Sequence, residues 1–211
     1  MELLTQLIDF VLHLDQHLVA LIGAYGYWVY GILFLIIYGE TGLVVMPFLP
    51  GDSLLFVVGA LAATGALDVQ WVIALLMAAA FLGDNTNYWI GRFLGPKVFK
   101  TQSRWLNRRY LDKTEAFYEK HGGKTVLLAR FLPIIRTFAP FVAGIGRMRY
   151  GRFVLFSILG AVAWINSLVF AGYFFGNIPL IKNNLTVVIL IIVALSFMPA
   201  MIHFVRERAR L

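Results

Sequence analysis

Met46-Pro47-Phe48-Leu49-Pro50-Gly51-Asp52 cuts an apolar stretch that otherwise runs from residue 28 to residue 67. Two prolines and a glycine within seven residues forbid a continuous helix. Proline has no amide proton to donate, and its ring meets the carbonyl four residues back. The run after the break, residues 53–67, has 15 residues. As a helix it reaches roughly 22 Å, short of a hydrocarbon core about 30 Å thick. A helix–turn–helix that enters and leaves by one face, a re-entrant hairpin over residues 28–67, fits better than two full spans. Pro47, Pro50 and Gly51 shape its break.

The rest of the composition agrees with a membrane setting. Of 211 residues, 60% are apolar and only 14% charged, and the mean hydropathy is +0.79. A soluble domain carries about a quarter charged residues, so there is too little polar surface here to cover a water-facing globule. Cysteine is absent, which removes disulfides, thiolate metal sites and cysteine nucleophiles. The net charge of +7 is the sum of two unlike halves. Residues 1–91 hold seven acids (Glu2, Asp9, Asp15, Glu40, Asp52, Asp68 and Asp84) and no lysine or arginine, a balance of −7. All 18 basic residues follow from Arg92 onward, against Asp112, Glu115, Glu119 and Glu207, a balance of +14. In an apolar chain such a split reads as membrane topology and not as a nucleic-acid footprint.

Residues 1–27 place Leu3, Leu4, Leu7, Ile8, Val11 and Leu12 near helical spacing, with Asp9, His13, Gln16 and His17 between them. That pattern is an amphipathic helix without the basic start of a cleaved signal peptide. Residues 71–94 are long enough to cross. The segment 96–124 is polar, with eight basic residues from Lys97 to Lys124. The excess of positive charge assigns it to the cytoplasm, resting on anionic lipid headgroups. A second hairpin is expected over 125–146, broken at Pro133 and Pro140, with spans at 153–176 and 184–204 and a basic cytoplasmic tail at 205–211.

The two halves also repeat. Phe48-Leu49-Pro50 recurs as Phe131-Leu132-Pro133, and Gly91-Arg-Phe93-Leu-Gly95 as Gly172-Tyr-Phe174-Phe-Gly176, at offsets of 83 and 81 residues. A unit of one hairpin and one span makes one net crossing, so consecutive copies point in opposite directions. The expected fold is therefore an all-α integral membrane protein. It has two inverted repeats, each a re-entrant helical hairpin plus a transmembrane helix, with an N-terminal amphipathic helix and a C-terminal transmembrane helix.

Four ionisable residues stand inside the two hairpins: Glu40 and Asp52 on the first, Arg130 and Arg136 on the second. Charge at bilayer depth costs about 2.5–3.5 kcal/mol per residue on insertion scales, so such residues mark a pathway or a site. Two guanidiniums suit a phosphate, through bidentate charge-assisted hydrogen bonds. Two carboxylates suit proton exchange, since burial and a neighbouring arginine move their affinity in opposite directions. Two buried salt bridges that only fix the fold are the plainer alternative. Asp84, Asn87, Tyr88 and Gly91 recur at three- and four-residue steps and form a polar, small-residue stripe on the first span, with Asn166 as a lesser counterpart on the later one. The four histidines show no metal-ligand spacing, and neither a metal nor a cofactor is expected.

Glu40…Pro47-Phe-Leu-Pro50-Gly51-Asp52, Gly83-Asp84-x-x-x-Tyr88-x-x-Gly91-x-x-x-Gly95 and Arg130-Phe-Leu-Pro133-Ile-Ile-Arg136, in this order, resemble the DedA family of membrane proteins, within the SNARE-associated or VTT-domain superfamily. The likeness runs along nearly the whole chain. It implies a bacterial inner-membrane protein with two facing re-entrant hairpins and a role in lipid translocation, either recycling of undecaprenyl phosphate or flipping of phospholipids. It also implies links to proton-motive force, membrane stress and cell division, and carries the family's essential acids and arginines onto Glu40, Asp52, Arg130 and Arg136.

The function expected from residues and resemblance together is a proton-motive-force-dependent flippase for a phosphate-bearing lipid. Arg130 and Arg136 would bind phosphate, Glu40 and Asp52 would exchange protons, and Asp84, Asn87, Tyr88 and Asn166 would support them. An ion or drug/proton antiporter uses the same acids without a lipid. A membrane scaffold needs the charges only for stability. An intramembrane enzyme is disfavoured, because no histidine, serine or cysteine stands beside the arginines in the hairpin sequence, although the paired carboxylates leave a small opening.

Overall fold

The computed structural model describes residues 14–43, 51–98, 123–182, 184, 187–188 and 190–192. Pro47 and Pro50 lie outside these residues, as do most of the amphipathic helix, most of the basic segment, most of 184–204 and the tail. The described elements are all helical: α1 (Leu14–Tyr25), α2 (Trp28–Gly42), α3 (Gly51–Ala63), α4 (Val69–Val98), α5 (Lys124–Ala129), α6 (Pro133–Ile145), α7 (Tyr150–Phe175) and α8 (Pro179–Lys182). Within α4, Val69–Leu94, and the whole of α7, 26 residues each, are long and apolar enough to cross a membrane. By contrast α2, α3 and α6, with 15, 13 and 13 residues, are too short to do so upright.

The second break follows from its proline. Steric conflict with a proline ring drives the preceding residue out of the helical region. Leu132 accordingly sits at φ −116°, ψ 105°, and Pro133 takes the first turn of α6, where its missing donor costs nothing. Pro140 behaves differently from the sequence expectation, because α6 runs straight through it. Gly51 starts α3 on the far side of the first break, with Asp52 in the first turn.

Two compact units divide the chain, one drawn from residues up to Ile36, Leu49–Leu76 and Ile165 onward, the other from Ile37–Phe48 and Met77–Trp164. In the first unit, α3 crosses the end of α7 through reciprocal glycines. A Cβ on Gly59 would run into the Val169 carbonyl oxygen, and one on Gly172 into that of Phe56. In the second unit α6 crosses α4 in the same manner, Gly144 facing the Tyr88 carbonyl and Gly91 that of Phe141. The paired positions are three residues apart on all four helices. Backbones approach this closely only where side chains are absent, the device that membrane helices use to gain packing without a hydrophobic drive.

The long helices are apolar on the side that faces out. Leu155, Ile158, Leu159 and Val162 are exposed on α7, while Phe153, Ser157, Gly160, Trp164 and Ile165 are buried. The exposed stripe is what lipid tolerates and water does not. The buried face keeps the polar residue.

These crossings predict that Gly91→Ala, whose new methyl must displace the Phe141 backbone, lowers stability by about 1–3 kcal/mol. Gly31→Ala has open space at its Cβ and should be neutral or slightly stabilising. Thermal unfolding in detergent, followed by size-exclusion recovery, compares the two.

Candidate functional site

Among its described residues the second unit holds two buried ion pairs. Arg136 Nη2 donates to Glu40 Oε1, and Arg130 Nη1 donates to Asp84 Oδ2. All four side chains are almost fully buried. An uncompensated buried guanidinium costs several kcal/mol even after relaxation, so each arginine is set opposite its own carboxylate. The break in the hairpin makes this possible. Arg130 closes α5 and Arg136 lies in the first turns of α6, and the extended Leu132 between them reorients the chain.

Both guanidiniums also lie over one ring. The Arg136 Cζ is 4.4 Å and the Arg130 Cζ 5.4 Å from the centroid of Trp164. Each such contact is worth about 0.5–2 kcal/mol, more when desolvated. Ser157 Oγ donates to Asp84 Oδ2 at 2.6 Å, and its carbonyl accepts from Arg130 Nη1 at 3.4 Å. A Cβ at Gly160 would stand 3.0 Å from the Arg130 Cδ, so that glycine leaves room for the arginine stem.

Asn87 ties the neighbouring backbone together. Its Nδ2 donates to the carbonyls of Thr41, at 3.2 Å, and Thr137, at 2.6 Å. Those residues adjoin Glu40 and Arg136, so one side chain sets the spacing of the two strands of chain that carry the pair. The threonine Thr41 Oγ1 returns to the Ile37 carbonyl at 2.8 Å, and its position is fixed by α4, since a Cβ on Gly83 would strike it.

The expected stripe on α4 is real: Asp84, Asn87, Tyr88 and Gly91 are all buried. Its members do different work, however. Asp84 is the counter-ion of Arg130, a specific pairing within the supporting role expected of it that the stripe alone did not reveal. Tyr88 takes no part in either ion pair. Its ring stacks on Phe153 at 4.4 Å, and its hydroxyl donates to the Met148 carbonyl at 2.6 Å, pinning the turn between α6 and α7. Gly91 packs against Phe141, the plainer of its two expected roles. Asp52 and Asn166, both half-buried, belong to the first unit.

One feature sets Arg130 apart. Its Nη1 is engaged, but Nε and Nη2 are buried without a hydrogen-bond partner among the described residues. Those two nitrogens form the side-on edge of a guanidinium, the edge that grips a carboxylate or phosphate with two parallel bonds. Asn87 Oδ1 is likewise buried without a donor. Buried polar groups left in this state are rare in native structures and need a reason.

A charge-balanced cluster buried among helices with apolar outer faces defines the class: an all-helical membrane protein with an internal polar site. The VTT domain family matches residues 49–174. The chain is 54% identical to Protein DedA of Escherichia coli (strain K12) over 211 residues, covering 99% of this chain and 96% of that protein. It is 45% identical over 180 residues to an uncharacterised membrane protein of Mycobacterium leprae (strain TN), covering 83% and 80%. Inner membrane protein YqjA of Escherichia coli (strain K12) shares 37% over 182 residues, covering 85% and 81%. This chain belongs to the DedA family of membrane proteins. No solved structure matches it.

The pairing makes a cycle testable. Asp84→Asn strands the Arg130 charge and should cost about 3–5 kcal/mol, whereas the double replacement Asp84→Leu with Arg130→Met should restore most of it. Chemical unfolding in detergent compares both variants with the wild type; equal losses for the single and the double variant would contradict the pairing.

Proposed function

We propose that this protein moves a phosphate-bearing lipid, undecaprenyl phosphate or a glycerophospholipid, across the bacterial inner membrane at the expense of the proton-motive force. The observation that carries the reading is the open side-on edge of Arg130, buried and lacking an acceptor among the described residues. A phosphate oxygen pair is the natural acceptor there. It brings charge-assisted bonds worth about 1.5–3 kcal/mol each. Arg136 supplies the second positive charge over the shared Trp164 ring.

Charge balance supplies the coupling to protons. Glu40, Asp84, Arg130 and Arg136 together sum to zero when ionised. A phosphate entering this low-dielectric cluster adds negative charge, and the cheapest compensation is a proton on a carboxylate. Glu40 is that carboxylate in the cluster, and Asp52, in the first turn of α3, is a second exchange point. Binding of the anion and of the proton then favour each other, which is the requirement for coupled transport.

The architecture is read as two inverted repeats, each a re-entrant hairpin followed by a span. Support comes from the two recurring motif pairs and from the duplicated glycine crossings. The break at Pro133, and the one expected at Pro47, Pro50 and Gly51 from sequence, would give backbone ends within the hairpins. The basic segment 97–124 and the tail lie on the cytoplasmic side against anionic headgroups, by the asymmetry of lysine and arginine. On this reading the protein is a multi-pass transporter, not an enzyme, and it needs no metal or cofactor.

The decisive variant keeps the charge and removes the fork. In proteoliposomes holding a tail-labelled phospholipid, the wild-type protein should speed exposure of the label to an impermeant quencher, and an ionophore that collapses the pH gradient should slow it. Arg130→Lys should slow movement about tenfold or more, the equivalent of one lost charged hydrogen bond, while retaining the wild-type elution profile. Liposomes in which wild-type protein moves no phosphorylated lipid would overturn the proposal.

A further inference from the structure

We infer that the first unit carries a second ligand site, for an organic ammonium group, independent of the phosphate reading. Tyr27, Tyr30, Asp68, Trp71 and Leu75 line a cavity of about 500 Å³. Three aromatic side chains and one carboxylate lining a single space are a set that suits ammonium and quaternary ammonium groups. The ring quadrupoles attract the cation, and the acid adds a full opposite charge.

The carboxylate is held in place and remains available. Asp68 caps α4, its Oδ1 accepting from the amides of Gln70 at 2.9 Å and Trp71 at 3.1 Å. None of the described residues donates to Oδ2. The Asp68 amide donates to the Tyr30 hydroxyl at 2.9 Å, so the α2 ring and the α4 cap move as one piece. Capping uses the positive end of the helix, worth roughly half an elementary charge, and so leaves the site negative overall.

The rings are presented and not packed away. Tyr27 is 91% and Trp71 71% exposed. Rings at the water–lipid boundary are common in membrane proteins, but a boundary ring needs no carboxylate beside it. The sign of the ligand follows from the surroundings. Among the described residues, the only charged side chain lining the cavity is Asp68, and residues 1–91 contain no lysine or arginine. The ammonium can belong to a soluble organic cation or to an ethanolamine-type lipid headgroup. The recognition chemistry is the same.

Choline is the probe, and its neutral carbon isostere, with a tert-butyl group in place of trimethylammonium, is the control. Saturation-transfer NMR on the full chain in phosphatidylglycerol nanodiscs should show saturable choline binding and none by the isostere. Asp68→Asn, which preserves the helix cap, should weaken choline about threefold or more, and Trp71→Leu about two- to fivefold. Weaker choline binding after phosphatidylethanolamine is added to the discs assigns the site to a lipid headgroup; unchanged binding assigns it to soluble cations. Equal binding of choline and isostere, or two variants that both bind choline like the wild type, would overturn the inference and leave the rings as boundary residues.

Discussion

Two guanidiniums buried among apolar helices must each find a compensating charge, and much of the second unit is arranged to meet that need. Asp84 comes from the middle of α4 and Glu40 from the end of α2. The hairpin break presents Arg130 and Arg136 from two helix segments instead of one face. Trp164, Ser157 and Gly160 on α7 complete the enclosure by a ring, a hydroxyl and an absence. Apolar residues of similar volume would fill the same space without the desolvation cost. The charges therefore fit a role in recognition better than one in stability alone.

The glycine crossings supply the rigidity such a site requires. In each unit a 13-residue helix lies against a long helix with carbonyl oxygens where side chains would stand. Backbone contacts of this kind cannot slide without strain, so the arginines are carried on a fixed base. The same spacing in both units is what two copies of one hairpin-and-span element would leave. In these crossings α3 meets α7 and α6 meets α4.

Much of this was legible in the residues. Pro133 announced the second break, because a proline's effect on the preceding residue is local and needs no tertiary information. Pro133 broke the chain where expected, whereas Pro140 did not, since surrounding contacts can outweigh the loss of one helical bond. Glu40, Arg130 and Arg136 stood out as charges in apolar sequence, but their pairing did not, because pairing depends on which helix faces which. Asp84 was hidden by its own stripe: at helical spacing a packing face and a charged face look alike. Trp164 left a faint signal, a tryptophan in the middle of a span instead of at its ends, where boundary rings gather. Ser157 left none beyond being polar in an apolar run.

The central claim is that the open edge of Arg130 meets a lipid phosphate. Solid-state NMR dephasing between arginine side-chain nitrogen-15 and lipid phosphorus-31, in bilayers holding the full chain, tests it directly. Strong dephasing of a guanidinium signal that disappears in Arg130→Lys is the predicted result. A wild-type Arg130 signal untouched by phosphorus in every lipid composition tried would contradict it.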